Sequence, residues 1–269
     1  MRGTASTDRL TVIAIAVIAY ACVNVCHEIA GHCGVAAVVG TRCIQLSSTD
    51  IRLLKEFTEI PTRTYNVILV AGSAANWALG LVCFGLLRTL RDARPGLRYF
   101  LWLSMCVNLF LPAGYMTGAV VIRYGDAYFL ISSLPGQLFW RAAVALAGAA
   151  LCWLSFRLCL KELRRLIGHA GRGARSVAWE LIAPAYVAGG VVTVASALFS
   201  QLEFFWAQLQ AAGGTFGLTA LLLLLPPGIT EASGSPGPRF ALPRSVGWVV
   251  AGALVGLIFI GLLGPGVQV

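Results

Sequence analysis

The chain has 269 residues, 58% hydrophobic and only 12% charged, with a formal net charge of +9 and a mean hydropathy of +0.81. A soluble domain carries charge on about a quarter of its residues, so a soluble enzyme or binding module is excluded, and helix-length apolar runs without period-2 alternation exclude a β-barrel. The basic excess does not point to nucleic acid. It gathers between the apolar runs, as in Arg88-Arg91-Arg94-Arg98 and Arg157-Lys161-Arg164-Arg165-Arg172-Arg175, which is the pattern of loops facing anionic lipid and the cytoplasm.

The first apolar run extends from Leu10 to Val39. It is too long for a signal-peptide core and reads as a retained first helix. At 1.5 Å per residue it measures about 45 Å, so it must tilt, break or protrude. A mixed, polar loop from Gly40 to Arg63 follows and is expected to pack at the membrane face. The second span is Thr64 to Leu87. The third is Tyr99 to Ile122, interrupted by Pro112 and Gly114, and leads into Arg123-Tyr124-Gly125-Asp126 and a turn at Pro135-Gly136.

The fourth span covers Leu138 to Leu160, and the fifth covers Val177 to Phe199. The run Thr215 to Leu225 is short for a span and ends at Pro226-Pro227; it either extends backwards through Trp206 or lies at the interface. A Gly/Ser/Pro loop, Gly234 to Pro238, precedes the last span, Ser245 to Leu263. The fold class is therefore all-α, a polytopic transmembrane helical bundle with six full-length spans and one short one, its first partner being the lipid bilayer. With seven crossings, 14 basic residues share the side of the N-terminal tail and 6 lie opposite. The positive-inside rule then places the N-terminus in the cytoplasm; if the short run does not cross, the last loop changes sides and the count becomes 12 against 8.

Six of the eight cysteines, Cys22, Cys26, Cys83, Cys106, Cys152 and Cys159, lie in apolar segments without a disulfide spacing and read as small packing residues. Cys26 and Cys33, minor ligand candidates, flank a more unusual group, His27-Glu28 followed by His32 inside the first span. An ionisable side chain costs up to about 3 kcal/mol at the centre of a spanning helix. Three within six residues need a compensating interaction, and a bound cation supplies one. Two imidazoles with a carboxylate form an ordinary zinc donor set. The alternative is a hydrogen-bonded polar network with Asn24 and Tyr20.

The histidines stand five apart, about 140° around a regular helix, whereas zinc-binding helices of metalloproteases place them four apart on one face. A π-bulge would add the missing residue to the turn, and Gly31 makes such a distortion cheap. With this spacing, His27-Glu28 and Gly31-His32 resemble a variant of the His-Glu-x-x-His helix of the site-2 protease family of intramembrane zinc metallopeptidases. Ala71-Gly72-Ser73-Ala74-Ala75-Asn76 is similar to that family's Gly-Pro-x-x-Asn segment, with Gly72 and Asn76 in register. Asn108-Leu109-Phe110-Leu111-Pro112 with Met116-Thr117-Gly118 resembles its Asn-x-x-Pro segment ending in Leu-Asp-Gly. The likeness runs over roughly residues 10 to 130.

The resemblance implies a core in residues 1–135 with additional C-terminal transmembrane helices in 136–269, in a bacterial inner membrane. It implies Zn2+ as cofactor, Glu28 as the base that activates water, and Asn76 as a residue orienting the substrate or donating to the oxyanion. The expected substrate is a single-span membrane protein. Thr117 stands where the family has its third ligand, an aspartate. Asp126, emerging on the same membrane side as His32, is taken as the third ligand beside His27 and His32. Asn76 is alternatively a helix–helix hydrogen-bonding residue, and Asp126 an interfacial one beside Arg123. Arg141 and Glu180 read as snorkelling residues, and His169 as a solvated loop residue. Three histidines are too few for a di-iron oxidase. The remaining alternative is a catalytically inactive relative that acts as a partner-binding or transport module. Relatives place their catalytic residues toward the cytoplasm, whereas the charge count here puts the exit of the first span outside.

Overall fold

The computed structural model describes residues 6–55, 59–123, 125–132, 134–168, 173–199, 205–230 and 240–269, with the backbone alone at 119–122 and 205–211. Tyr124, His169 and the Gly234–Pro238 loop lie outside the described residues. Helix α1 spans Arg9–Val25 and passes without a break into a π-helical segment, Cys26–Cys33, and a last turn, α2, Gly34–Val38. Asp8 starts it: its carboxylate accepts from the Thr11 N–H at 2.9 Å and from the Thr11 hydroxyl at 2.8 Å, satisfying one of the amides that every helix start leaves open.

Strands β1, Cys43–Leu46, and β2, Ile51–Leu53, form a hairpin in the polar loop expected at the membrane face. Helix α3, Thr62–Thr89, returns across the bundle. Helix α4, Pro95–Ile122, is its centre, with Tyr99, Trp102, Leu103, Met105 and Phe110 fully buried. Pro112 does not interrupt it as expected; neighbouring helices make a proline tolerable inside a packed span. A short α5, Asp126–Ser132, precedes α6, Gln137–Ile167, which outruns its apolar stretch by two turns, and α7, Ala174–Leu198.

Among the described residues, six helices are long and apolar enough to cross a membrane. The short apolar run belongs to a longer element: α8, Phe205–Leu218, continued by 3-10 turns at Thr219–Leu224 and Pro226–Gly228. Fourteen α-helical residues and about ten in wider-rising 3-10 geometry span roughly 40 Å. Its end points lie near opposite ends of α7. It follows the end of α7, where Ser196 bonds the Phe259 carbonyl at 2.8 Å. It finishes at Gly228, whose carbonyl accepts from Arg164 at 2.7 Å beside the end of α6. Midway, the Tyr20 hydroxyl donates to Thr219 at 2.9 Å.

The last helix, α9, Val246–Ile258, therefore starts on the same side as α1. The Asp8 N–H bonds Leu242 O at 2.7 Å, and the Ser245 N–H bonds the Thr11 hydroxyl at 3.0 Å. A π-helical turn, Phe259–Leu263, leads to β3, Val267–Gln268, which completes a sheet of order β2-β1-β3, antiparallel throughout. One apolar core takes side chains from α1, α3, α4, α6, α7, the 3-10 turns and the chain's last helical turn, so the C-terminal helices and the first three spans are packed as one body. The sheet and the exit of α1 occupy one membrane face, and the arginine-rich ends of α3 and α6 occupy the other.

Candidate metal site

The π-helical segment is the first component. Winding in an i→i+5 register adds a residue to the turn and brings His27 and His32 to the same side, with ring centroids 4.7 Å apart. The expected bulge is present. Both histidines and Glu28 are buried.

Helix α3 supplies the second component through backbone and absence of side chain. A Cβ on Gly31 would lie 2.5 Å from the Gly72 Cα and 2.8 Å from the Ala71 carbonyl oxygen, so only glycine lets the π segment rest on α3. A Cβ on Gly72 would lie 2.7 Å from Nε2 of both His27 and His32. One glycine thus permits the helix contact and the other keeps space open at the donor atoms. One turn before Gly72, the Ile68 carbonyl accepts a hydrogen bond from His32 Nδ1 at 2.7 Å. That fixes the tautomer and leaves the Nε2 lone pair free for a ligand. His27 Nδ1 is buried without a hydrogen-bond partner among the described residues.

The third component is the reversal after α4. Arg123, with φ 54°, and Gly125, with φ 92°, adopt left-handed conformations that turn the chain back, and the Gly125 carbonyl accepts from Tyr128 N and Phe129 N at 3.0 Å. Asp126 opens α5 and points at the histidines: its Oδ2 lies 3.1 Å from His27 Nε2 and 3.3 Å from His32 Nε2.

Three donors at metal bonds of about 2.0–2.2 Å and tetrahedral angles stand roughly 3.3–3.5 Å apart. The measured 3.1 and 3.3 Å agree with that spacing, and all three donor atoms lie within 4.8 Å of one another. His27, His32 and Asp126 therefore form a group able to hold a metal ion. Glu28 lies within electrostatic range of all three. Asp50, in the β1–β2 turn, is within range of Glu28 and Asp126, which sets the hairpin over the site.

Asn76, one turn beyond Gly72 on α3, is fully buried, and neither its Oδ1 nor its Nδ2 has a hydrogen-bond partner among the described residues. Leaving such a group unpaired costs about 1–3 kcal/mol, and the helix–helix bond of the alternative reading is not present among the described residues. Thr117 does not join the cluster: its hydroxyl donates to the Ala113 carbonyl at 3.0 Å, and it packs against Gly148 and Cys152 of α6. Arg141 bonds Gln137 at 3.3 Å and stacks over the Tyr128 ring at 5.4 Å, while Glu180 accepts from Ser176 at 3.4 Å; neither reaches the histidines.

Cys33 requires a correction. As a minor ligand candidate it is excluded by its disulfide to Cys43, which ties the end of the π segment to β1. Cys26 stays a free thiol outside the donor group. Spacing gave no signal for that pairing, because it joins a helix to a strand whose position only the fold defines. The Ile68 carbonyl was equally invisible, since a backbone acceptor has no residue signature. In comparisons with family models, curated proteins and solved structures, nothing matches this chain.

Proposed function

We propose that this membrane protein is a zinc-dependent intramembrane endopeptidase that cleaves single-span membrane proteins. The observation that carries the reading is the convergence of His27, His32 and Asp126 beside a buried Glu28, inside a spanning helix. The donor set of two imidazole nitrogens and one carboxylate oxygen suits zinc with one coordination position left open. When bound, such an ion supplies Lewis acidity that polarises a carbonyl and acidifies water.

The chain's own residues account for the rest. Glu28 is the general base, taking a proton from the attacking water and passing it to the leaving amine. Its electrostatic coupling to the two histidines and Asp126 supports that role. Asn76, with its amide unsatisfied in a dry environment, is positioned to bind a substrate carbonyl or the oxyanion that develops from it. Ile68 and Gly72 orient and accommodate the histidine rings. A helical substrate hides its peptide bonds in internal hydrogen bonds, so it must unwind locally before attack.

The proposed orientation puts this chemistry near the extracytoplasmic face. His27 lies 18 residues from the start of the helix at Arg9, about 27 Å along it, close to the far boundary of a hydrocarbon core about 30 Å thick. The far face carries 6 of the 20 basic residues and the Cys33–Cys43 disulfide, and disulfides persist on the oxidising side of a membrane. This is opposite to the side implied by the site-2 protease resemblance.

The test is metal content and cleavage together, on protein purified into lipid nanodiscs. The expected result is one zinc per chain, cleavage of a single-span reporter by wild type, and a Glu28→Gln variant that keeps its zinc while losing cleavage by at least a hundredfold. Wild-type protein without stoichiometric zinc overturns the reading. Stoichiometric zinc without cleavage of any single-span reporter would instead favour the inactive, partner-binding alternative.

A further inference from the structure

A second site lies at the opposite membrane face, where the end of α3, the start of α4 and the end of α6 meet. A cavity of about 340 Å³ opens there, lined by Arg88, Arg91, Arg98, Arg165 and Glu162, within the size range of small-ligand sites. Four guanidiniums face one carboxylate, a local balance of +3. The C-terminal ends of α3 and α6 contribute about −0.5 charge each and the start of α4 about +0.5, so a net positive surplus of about 2.5 remains.

The arginines are not equally committed. Glu162 is almost completely buried and pairs with Arg165 and with Arg88, the latter at 3.7 Å. It fixes two guanidiniums in place and leaves each with further N–H donors. Arg91 uses its Nε on the Arg88 carbonyl at 3.0 Å. Arg98 differs: its Nε is shielded from solvent and has no hydrogen-bond partner among the described residues. A dehydrated donor on the wall of a net-positive pocket favours an anion. Buried Leu87 and Leu166 form the adjoining apolar wall.

We infer that this pocket binds the phosphate of an anionic phospholipid headgroup. Guanidinium groups match phosphate oxygens in geometry and charge. Basic pockets between spanning helices at the cytoplasmic face suit such headgroups. The apolar wall beside the arginines favours a lipid over free phosphate, because it covers carbon next to the phosphodiester. The site is remote from the histidines and stands whether or not the protein is a protease.

The experiment titrates phosphatidylglycerol into the full-length protein in phosphatidylcholine nanodiscs, read by native mass spectrometry of the released complex. Wild type is expected to retain phosphatidylglycerol in preference to phosphatidylcholine. Arg91→Gln with Arg98→Gln leaves both partners of Glu162 in place, and at about fivefold per charge near the surface it should weaken retention about thirtyfold. Arg98→Gln alone should weaken it about fivefold, which keeps the proposal testable if the double variant does not fold. Unchanged retention in the single variant overturns the site. Displacement of the lipid by millimolar inorganic phosphate, with equal binding of phosphate by the wild type, overturns the lipid assignment in favour of a free anion.

Discussion

Replacing Gly72 by alanine tests the geometry of the histidine site without touching a donor atom. The new methyl would sit 2.7 Å from Nε2 of both His27 and His32, against a contact distance of about 3.5 Å for non-bonded heavy atoms. The shortfall is roughly 0.8 Å, several times the ±0.2 Å within which metal–ligand distances hold. The π segment cannot retreat easily, because the Cys33–Cys43 disulfide holds its end and Gly31 rests on the α3 backbone. The rings must rotate, and rotating His32 breaks its 2.7 Å bond to Ile68. Loss of such a supporting bond alone costs about 10–100-fold in metal affinity, so Gly72→Ala should weaken zinc binding by at least a hundredfold. Competition with a fluorescent chelator on purified protein measures this. Gly85→Ala is the control: it lies on the same helix with nothing within 4 Å of an added methyl, and should leave zinc affinity unchanged while favouring the helix by up to about 1 kcal/mol. A Gly72→Ala protein that binds zinc as tightly as wild type would refute the donor geometry.

Asp126→Ala should abolish stoichiometric zinc, whereas Thr117→Ala should retain it, because Thr117 faces α6; metal analysis of the two proteins side by side separates the third-ligand assignments. Gly31→Ala forces a methyl into the α3 backbone and should destabilise the protein by about 1–3 kcal/mol, seen as a lower midpoint in thermal or denaturant unfolding in detergent. Cys33→Ser should lower stability by up to about 3 kcal/mol through the ten-residue separation it opens. In intact cells, a membrane-impermeant maleimide should then label the freed Cys43; labelling only after permeabilisation would reverse the proposed orientation.

Much of the bundle is legible in sequence because lipid imposes a simple rule: backbone polar groups must be satisfied within each span, so length and apolarity alone mark the helices. The helix bounds differ from the apolar bounds where charged residues continue a helix, as in the two last turns of α6, where exposed Lys161, Arg164 and Arg165 alternate with buried Leu163, Leu166 and Ile167. The Thr215–Leu225 run was undecidable by length. In the structure it is continued backwards by α8 and wound partly as 3-10 turns, which together reach from one end of the bundle to the other. The sheet was hidden for a related reason: β3 lies more than 200 residues from β1, and strands of two to four residues leave no periodic trace.

For the site, composition and cost were enough to single out His27, Glu28 and His32, since three ionisable groups in an apolar helix demand a compensating partner. The sequence also determined that a regular helix could not align the histidines, and that Gly31 was where it could yield. Only the tertiary structure decided that the helix winds as a π turn, that Asp126 rather than Thr117 meets the two rings, and that Cys33 is held by Cys43. The physical reason is the same in each case. Spacing along one helix fixes which side chains share a face, but the reversal at Arg123 and Gly125 and the contact between Gly31 and Gly72 arise from elements distant in sequence, and these set where the carboxylate and the rings come to rest.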